Sequence, residues 1–155
     1  MNQGQFVAPT PEHIQYIAEH MREADRQEVF AMRGEDADLH YVLANAVKRS
    51  TWCVCGLAAD GTPVSLVGVA PVSLIGGVGA PWLLGTDRVR EFSGALIRYG
   101  RDYIQSMTSQ YPQLINYVDA RNTASIRWLK RLGFTIHDAE PIGHQGLPFH
   151  KFTMG

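Results

Sequence analysis

Several signals are absent from this sequence, and each absence closes off a class of function. The 155 residues carry 14 Lys and Arg against 15 Asp and Glu, a net charge of −1. A chain without surplus cations exerts no bulk attraction on nucleic acid or on an anionic bilayer, so neither is expected as a partner. No apolar run approaches the roughly 18 residues a membrane helix needs. The opening MNQGQFVAPT lacks a basic stretch followed by an apolar one, so no secretory leader is expected. Internal repeats, low-complexity tracts and long linkers are also missing, which leaves one domain spanning residues 1–155. There are two cysteines, Cys53 and Cys55. On a strand, an i, i+2 pair shares one face, a disulfide between them would be strained, and further ligands at metal spacing are lacking. Two small buried thiols and no metal are the expectation. The six histidines (13, 20, 40, 137, 144 and 150) form no HxxxH pattern. No phosphate-binding P-loop, dinucleotide fingerprint or nucleophile elbow occurs.

What is present centres on Ile115 to Phe134, INYVDARNTASIRWLKRLGF. Ile115, Tyr117 and Val118 favour a strand. Asn122 is a good N-cap, since its side-chain oxygen can accept a free backbone N–H one turn on. Ile126, Leu129 and Leu132 make an apolar helical stripe that Trp128 widens. Gly133 supplies a left-handed stop, and a new strand begins at Phe134. The helix is expected to pack on a sheet through Ile126, Trp128, Leu129 and Phe134.

The remaining elements follow by periodicity. A short strand runs from Gln5 to Ala8. Thr10-Pro11 opens a helix with Ile14 and Ile17 inside. A second helical piece covers Met21 to Arg33 and a third Asp36 to Arg49. The charges on these helices (Arg22, Glu23, Asp25, Arg26, Glu28, Arg33, Glu35, Asp36) read as a solvated face, with a substrate or partner surface as the alternative. Strands follow at Thr51–Ala58, Thr62–Val72 and Gly79–Gly85, the first two joined at Asp60-Gly61, a hairpin turn signal. The longest helix spans Asp87 to about Ser109, with Val89, Phe92, Leu96, Tyr99, Tyr103 and Met107 as its buried stripe. After the central stretch come a strand at Thr135, a loop through Glu140–Gly146 and a closing strand from Leu147. A helical crossover between the Trp82 and Tyr117 strands makes them parallel neighbours in an otherwise antiparallel sheet.

The run Asn122-x-x-Ser-x-x-Trp-Leu-x-Arg-x-Gly-Phe134 resembles the C-terminal signature of the GNAT superfamily of N-acetyltransferases. That resemblance implies an α/β GNAT-like fold, with six or seven strands in a mixed, mostly antiparallel sheet and four or five flanking helices. A narrower likeness rests on Trp82-Leu-Leu-Gly-Thr-Asp-Arg, Tyr111-Pro, Asn116-Tyr-Val, Asn122-Thr-x-Ser-Ile-Arg-Trp-Leu-Lys and Phe149-His-x-Phe. These blocks resemble the small acetyltransferase-like proteins encoded among the virion genes of T7-like short-tailed phages, some of them internal virion or assembly proteins. A phage virion or host protein as partner follows from that likeness, as does a location in the host cytoplasm and the virion interior.

The GNAT resemblance also implies a place for acetyl-CoA, with Leu83, Leu84, Arg88, Arg90, Ser93, Gly94, Asn122 and Ser125 as the binding residues. In that superfamily a glycine-bearing loop lets backbone N–H groups approach the pyrophosphate. Here Glu91 and Ser93 stand where the glycines belong, and Gly94 is one residue off. Leu129 stands where a Tyr often serves as the acid, leaving Tyr103, Tyr111, Tyr117 and Ser125 as replacements. Glu140, His144 and His150 would lie near a substrate. Acetyl-CoA is therefore expected to bind weakly or not at all. The leading reading is a phage GNAT-like protein with a degenerate cofactor site and a role in virion assembly. The alternatives are an active N-acetyltransferase acting on a host or virion amine, and a protein that binds a host factor.

Overall fold

The computed structural model describes residues 4–72 and 75–155, and for Ser93 and Leu96 the backbone alone. The expectation for the first three residues and the inward placing of Leu96 lie outside that description. The element order is β1 (Gln5–Val7), α1 (Pro11–Glu19), α2 (Glu23–Arg33), α3 (Leu39–Arg49), β2 (Trp52–Leu57), β3 (Pro63–Pro71) and β4 (Val78–Gly85). A 3₁₀ segment (Asp87–Phe92), α4 (Ser93–Gln110), β5 (Gln113–Asp119), α5 (Thr123–Leu132), β6 (Thr135–Ile142) and β7 (Leu147–Met154) complete it. The seven strands form one sheet in the order β1-β2-β3-β4-β5-β7-β6.

Local chemistry sets the helix ends. Thr10 Oγ1 accepts from the His13 N–H while His13 Nδ1 accepts from the Thr10 N–H, and Pro11 occupies the first helical position. Asn122 caps α5 by accepting from the Ser125 N–H at 3.3 Å, and Gly133 ends it at φ 101°. At the Asp60-Gly61 turn Gly61 takes φ 87°.

The sheet separates two apolar layers. On one face Ile17, Leu43, Cys55 and Leu66 are fully buried, with Val29, Trp82 and Leu84 packed around them. On the other, Val69, Met107, Leu114, Phe134 and Phe152 join Ile126 and Leu129. Trp128 belongs to a third, smaller cluster with Val64, Val89 and Phe92. Helices α1–α3 therefore cover one face and α4–α5 the other. Cys53 and Cys55 point to the α1–α3 layer as free thiols. Burial pushes them up to about 12 and about 11, so both stay protonated at neutral pH.

Three boundaries differ from expectation. The long helix does not start at Asp87, because residues 87–92 are wound as 3₁₀. Thr86 Oγ1 accepts from the Arg88 N–H, the Val89 N–H bonds the Thr86 carbonyl, and Arg88 pairs with Glu91 at 3.2 Å. These links are short-range, and residues three apart eclipse one another in the tighter helix. Within α4, Tyr103 and Met107 face inward as expected, but Tyr99 is 45% exposed and Ile97, Gly100 and Ile104 line the inner side instead. Helix α3 starts at Leu39, not Asp36, because Asp38 accepts from the Tyr41 N–H and caps it there. Glu140 and Pro141 are not in a loop: β6 continues to Ile142 at the sheet edge, where a proline removes no ladder bond from a neighbour.

Candidate functional site

Strands β4 and β5 are parallel neighbours, yet they pair only at Val78–Gln113 and Gly79–Leu114. Beyond those two positions they part, while β4 keeps an unbroken register with β3 from Gly79 to Gly85. Backbone groups alternate along a strand. The Val78 carbonyl accepts from the Val72 N–H, just past the end of β3, and the Gly77 carbonyl accepts from the Gln113 N–H. Pro81, Leu83 and Gly85 of β4 consequently face the gap, as do Ile115, Tyr117 and Asp119 of β5.

These groups meet side chains of the same molecule. Pro81 has no N–H, and its carbonyl accepts from Asn116 Nδ2 at 2.8 Å. The Asn116 Oδ1 atom accepts from the Tyr117 N–H at 2.8 Å, so one amide side chain bridges both strands. The Gly85 N–H donates to Asp25 Oδ2 at 2.9 Å, and the Gly85 carbonyl accepts from the Arg22 N–H at 2.9 Å. The Asp119 N–H donates to Glu28 Oε1 at 3.0 Å. The wide end of the gap is thus filled by the start of α2.

Arg22 reaches across that end. Its Nη2 donates to Asp25 Oδ1 at 2.9 Å and to Ser125 Oγ at 2.7 Å, and its guanidinium carbon lies 5.4 Å from the Trp128 ring centroid. Only 8% of the residue is exposed. Asn122 Nδ2 donates to Glu28 Oε1 at 3.0 Å, so the cap of α5 is also tied to α2. Burial raises the Asp25 carboxyl, against the pull of Arg22. Burial pushes Glu28 up to about 7, and the neighbouring charges of Asp25 and Asp119 add to that against its two donors. Burial would also raise Asp119, but the Arg121 guanidinium at 2.6 Å and the Arg121 N–H hold it below the ordinary carboxylate value.

A cavity of about 490 Å³ occupies the gap and is lined from both helical layers. Of the residues singled out in the sequence, Leu83, Leu84, Tyr103, Tyr117 and Ser125 line it. Asn122 is buried but does not line it. Arg88 is held by Glu91 and, at 3.5 Å, by Asp60. Arg90 and Gly94 are exposed, and Ser93 opens α4. Tyr111 shares a hydrogen bond with Thr51. Glu140 sits on the outer edge strand, separated from β5 by β7. His144 lies in the β6–β7 turn against Gly34, and His150 Nδ1 is 2.7 Å from the His137 carbonyl. Among the described residues no group of three or more His, Cys, Asp or Glu could hold a metal ion, and no helix is long and apolar enough to cross a membrane.

Sequence reasoning missed Arg22, Asp25, Glu28 and Asn116. A signal for three of them existed: Arg22, Asp25 and Glu28 recur at i, i+3 beside the apolar Val29, on the inward side of α2.

Half-buried Trp128 supports this wall from below. Trp128→Ala is expected to cost about 2–3 kcal/mol, less than full burial would give. Urea unfolding of the two proteins checks it, and an unchanged midpoint would place Trp128 outside the packed structure.

Of the main-chain donors facing the gap, those of Tyr117, Gly85 and Asp119 are bonded to Asn116, Asp25 and Glu28, and Pro81 has none. A 3₁₀ segment without glycine precedes α4 where a phosphate loop would need close backbone approach.

An open β4–β5 pair within a seven-stranded mixed sheet, with helices on both faces, defines the GNAT acetyltransferase fold. The chain superposes on spermidine N-acetyltransferase of Vibrio cholerae, solved with CoA and spermine, at TM-score 0.68 and 13% identity, covering 98% of this chain and 95% of that one. Phosphinothricin acetyltransferase of Sinorhizobium meliloti, solved with AcCoA, gives TM-score 0.71 at 12% identity over 97% and 87%. No curated protein matches the sequence. The chain belongs to the family described as bacteriophage T7, probable scaffold protein Gp13, whose model matches residues 62–140, just over half of its length.

Proposed function

We propose that this phage GNAT-fold protein is a non-catalytic component of virion assembly whose acyl-CoA cleft is sealed by its own side chains. The observation that carries the reading is the occupation of the β4–β5 gap. Asn116 spans the two strands, and Arg22, Asp25 and Glu28 cover their open end. Seating a cofactor in the gap would break these hydrogen bonds, and each group then left buried without a partner would cost about 1–3 kcal/mol. The family match to a phage scaffold protein supports the assembly role, with another virion protein as the partner.

A native-state ligand must raise stability, so thermal shift and calorimetry with acetyl-CoA test the sealed cleft. The expected result is a dissociation constant weaker than about 10 µM, roughly −7 kcal/mol. Tighter binding would restore the second reading, an active N-acetyltransferase, which is favoured by the cavity that remains beside Tyr117 and Ser125. Mass spectrometry of purified capsid precursors and virions tests the assembly role. The protein is expected in one or both, and its confinement to the host cytosol would favour a host-directed role.

A further inference from the structure

The charges of this nearly neutral chain are unevenly placed. Residues 87–132 hold eight Lys and Arg against four Asp and Glu, and residues 10–49 hold five against eight. The first group forms the α4–α5 layer and the second the α1–α3 layer, on opposite faces of the sheet. On α4 and α5 the exposed charges are Arg98, Arg101, Arg127, Lys130 and Arg131, against Asp102 alone. The two helices approach closely at Gly100, where an added Cβ would lie 3.0 Å from Leu132, so their outer faces adjoin. On the other side α2 and α3 expose Arg26, Arg33, Lys48 and Arg49, and the acidic patch is local: α1 has no cation, and Glu12, Glu19 and Glu23 are exposed along it and at the head of α2. Each layer also displays an aromatic ring: Tyr99 on α4, 45% exposed with the Arg98 guanidinium 5.7 Å from its centroid, and Tyr41 on α3, 58% exposed. Tyr and Arg are the residue types that anchor protein interfaces.

We propose that copies of this chain stack head to tail, the basic α4–α5 face of one against the acidic patch on α1 and the head of α2 of the next. The charges complement each other between copies. Because the faces are different and lie on opposite sides of the sheet, the contact is heterologous and can repeat. The attraction is between solvated charges, so salt within the range where the screening length falls from tens of ångströms to a few must weaken it.

Sedimentation velocity of the full chain tests the proposal. At about 0.02 M NaCl the mass should climb with protein concentration, and at about 0.5 M it should return to the monomer. Two neutralising variants separate the faces, R98Q/R127Q/R131Q and E12Q/E19Q/E23Q, all at exposed positions, with thermal melts as the check on folding. Each variant alone is expected to stay monomeric in low salt. Mixed in equal amounts they should form one-to-one dimers and nothing larger, since each retains one working face. A wild-type monomer at every low-salt concentration would overturn the proposal. So would assembly indifferent to both variants, or mass gained only when duplex DNA is added.

Discussion

Arg22→Ala is expected to destabilise the protein by about 3–5 kcal/mol, the range for removing one partner of a buried ion pair. At about 2–4 °C per kcal/mol for a chain of this size, the melting temperature should fall by roughly 6–20 °C. The loss has three sources. Asp25 loses its cationic partner at a side chain 2% exposed, Ser125 loses a donor, and Trp128 loses the guanidinium over its ring. The first source has a pH signature. Without Arg22 the Asp25 carboxylate is easier to protonate, and protonation removes the uncompensated charge. The deficit should be largest near pH 8 and shrink as pH falls, which simple loss of packing would not produce. Chemical denaturation at both ends of that range measures it. A variant that unfolds within a degree or two of wild type would mean the link across the gap is not holding the two layers together.

Glu28→Gln is expected to act in the opposite direction. The folded-state value of Glu28 is about 7 against an ordinary 4.5. The folded protein therefore binds a proton that the unfolded chain has released between those values. By linkage, stability falls as pH rises through that window and is flat above it. Each pH unit across the window costs about 1.4 kcal/mol, so ionised Glu28 costs about 3 kcal/mol at pH 8. A glutamine keeps an Oε1 acceptor for the Asp119 N–H and for Asn122 without the charge. The variant should match wild type near pH 4.5 and exceed it by about 2–3 kcal/mol at pH 8. Because every other titrating group is common to both proteins, parallel pH profiles would sink the assignment of Glu28 as a buried carboxylate.

The fold was legible wherever a short stretch decides its own conformation. The Asn122 cap, the Gly133 stop and the Asp60-Gly61 hairpin each depend on neighbours a few residues away, and the periods of the strands and helices placed the crossover between β4 and β5. The site was less legible because its contacts are distant in sequence. Arg22 meets Ser125 103 residues on, Glu28 meets Asn122 94 residues on, and Asp25 meets Gly85 60 residues on. A helix bearing alternating charges looks the same whether they face water or a sheet end, so the reading of α2 as a solvated surface fails for the three residues that matter most. The 3₁₀ winding of residues 87–92 was hidden for a related reason: Arg88 and Glu91 suit an α-helix as well, and the link from Arg88 to Asp60 that helps hold the segment lies 28 residues back.

The two-rung ladder between β4 and β5 also sets how the chain can acquire its structure. It divides the sheet into β1-β2-β3-β4, built from residues 5–85, and β5-β7-β6, built from residues 113–154, and each block is contiguous in sequence. Each can complete its own pairing from nearby segments, with little loop entropy to overcome. An N-terminal block emerging first from the ribosome can form its strands before the second exists. The late event is then the meeting of the blocks, and the groups that clasp them are Asn116, Arg22, Asp25 and Glu28. In hydrogen exchange the Tyr117 and Asp119 amides, bonded to those side chains and not to a neighbouring strand, report that junction directly, as a unit able to open while both blocks stay folded.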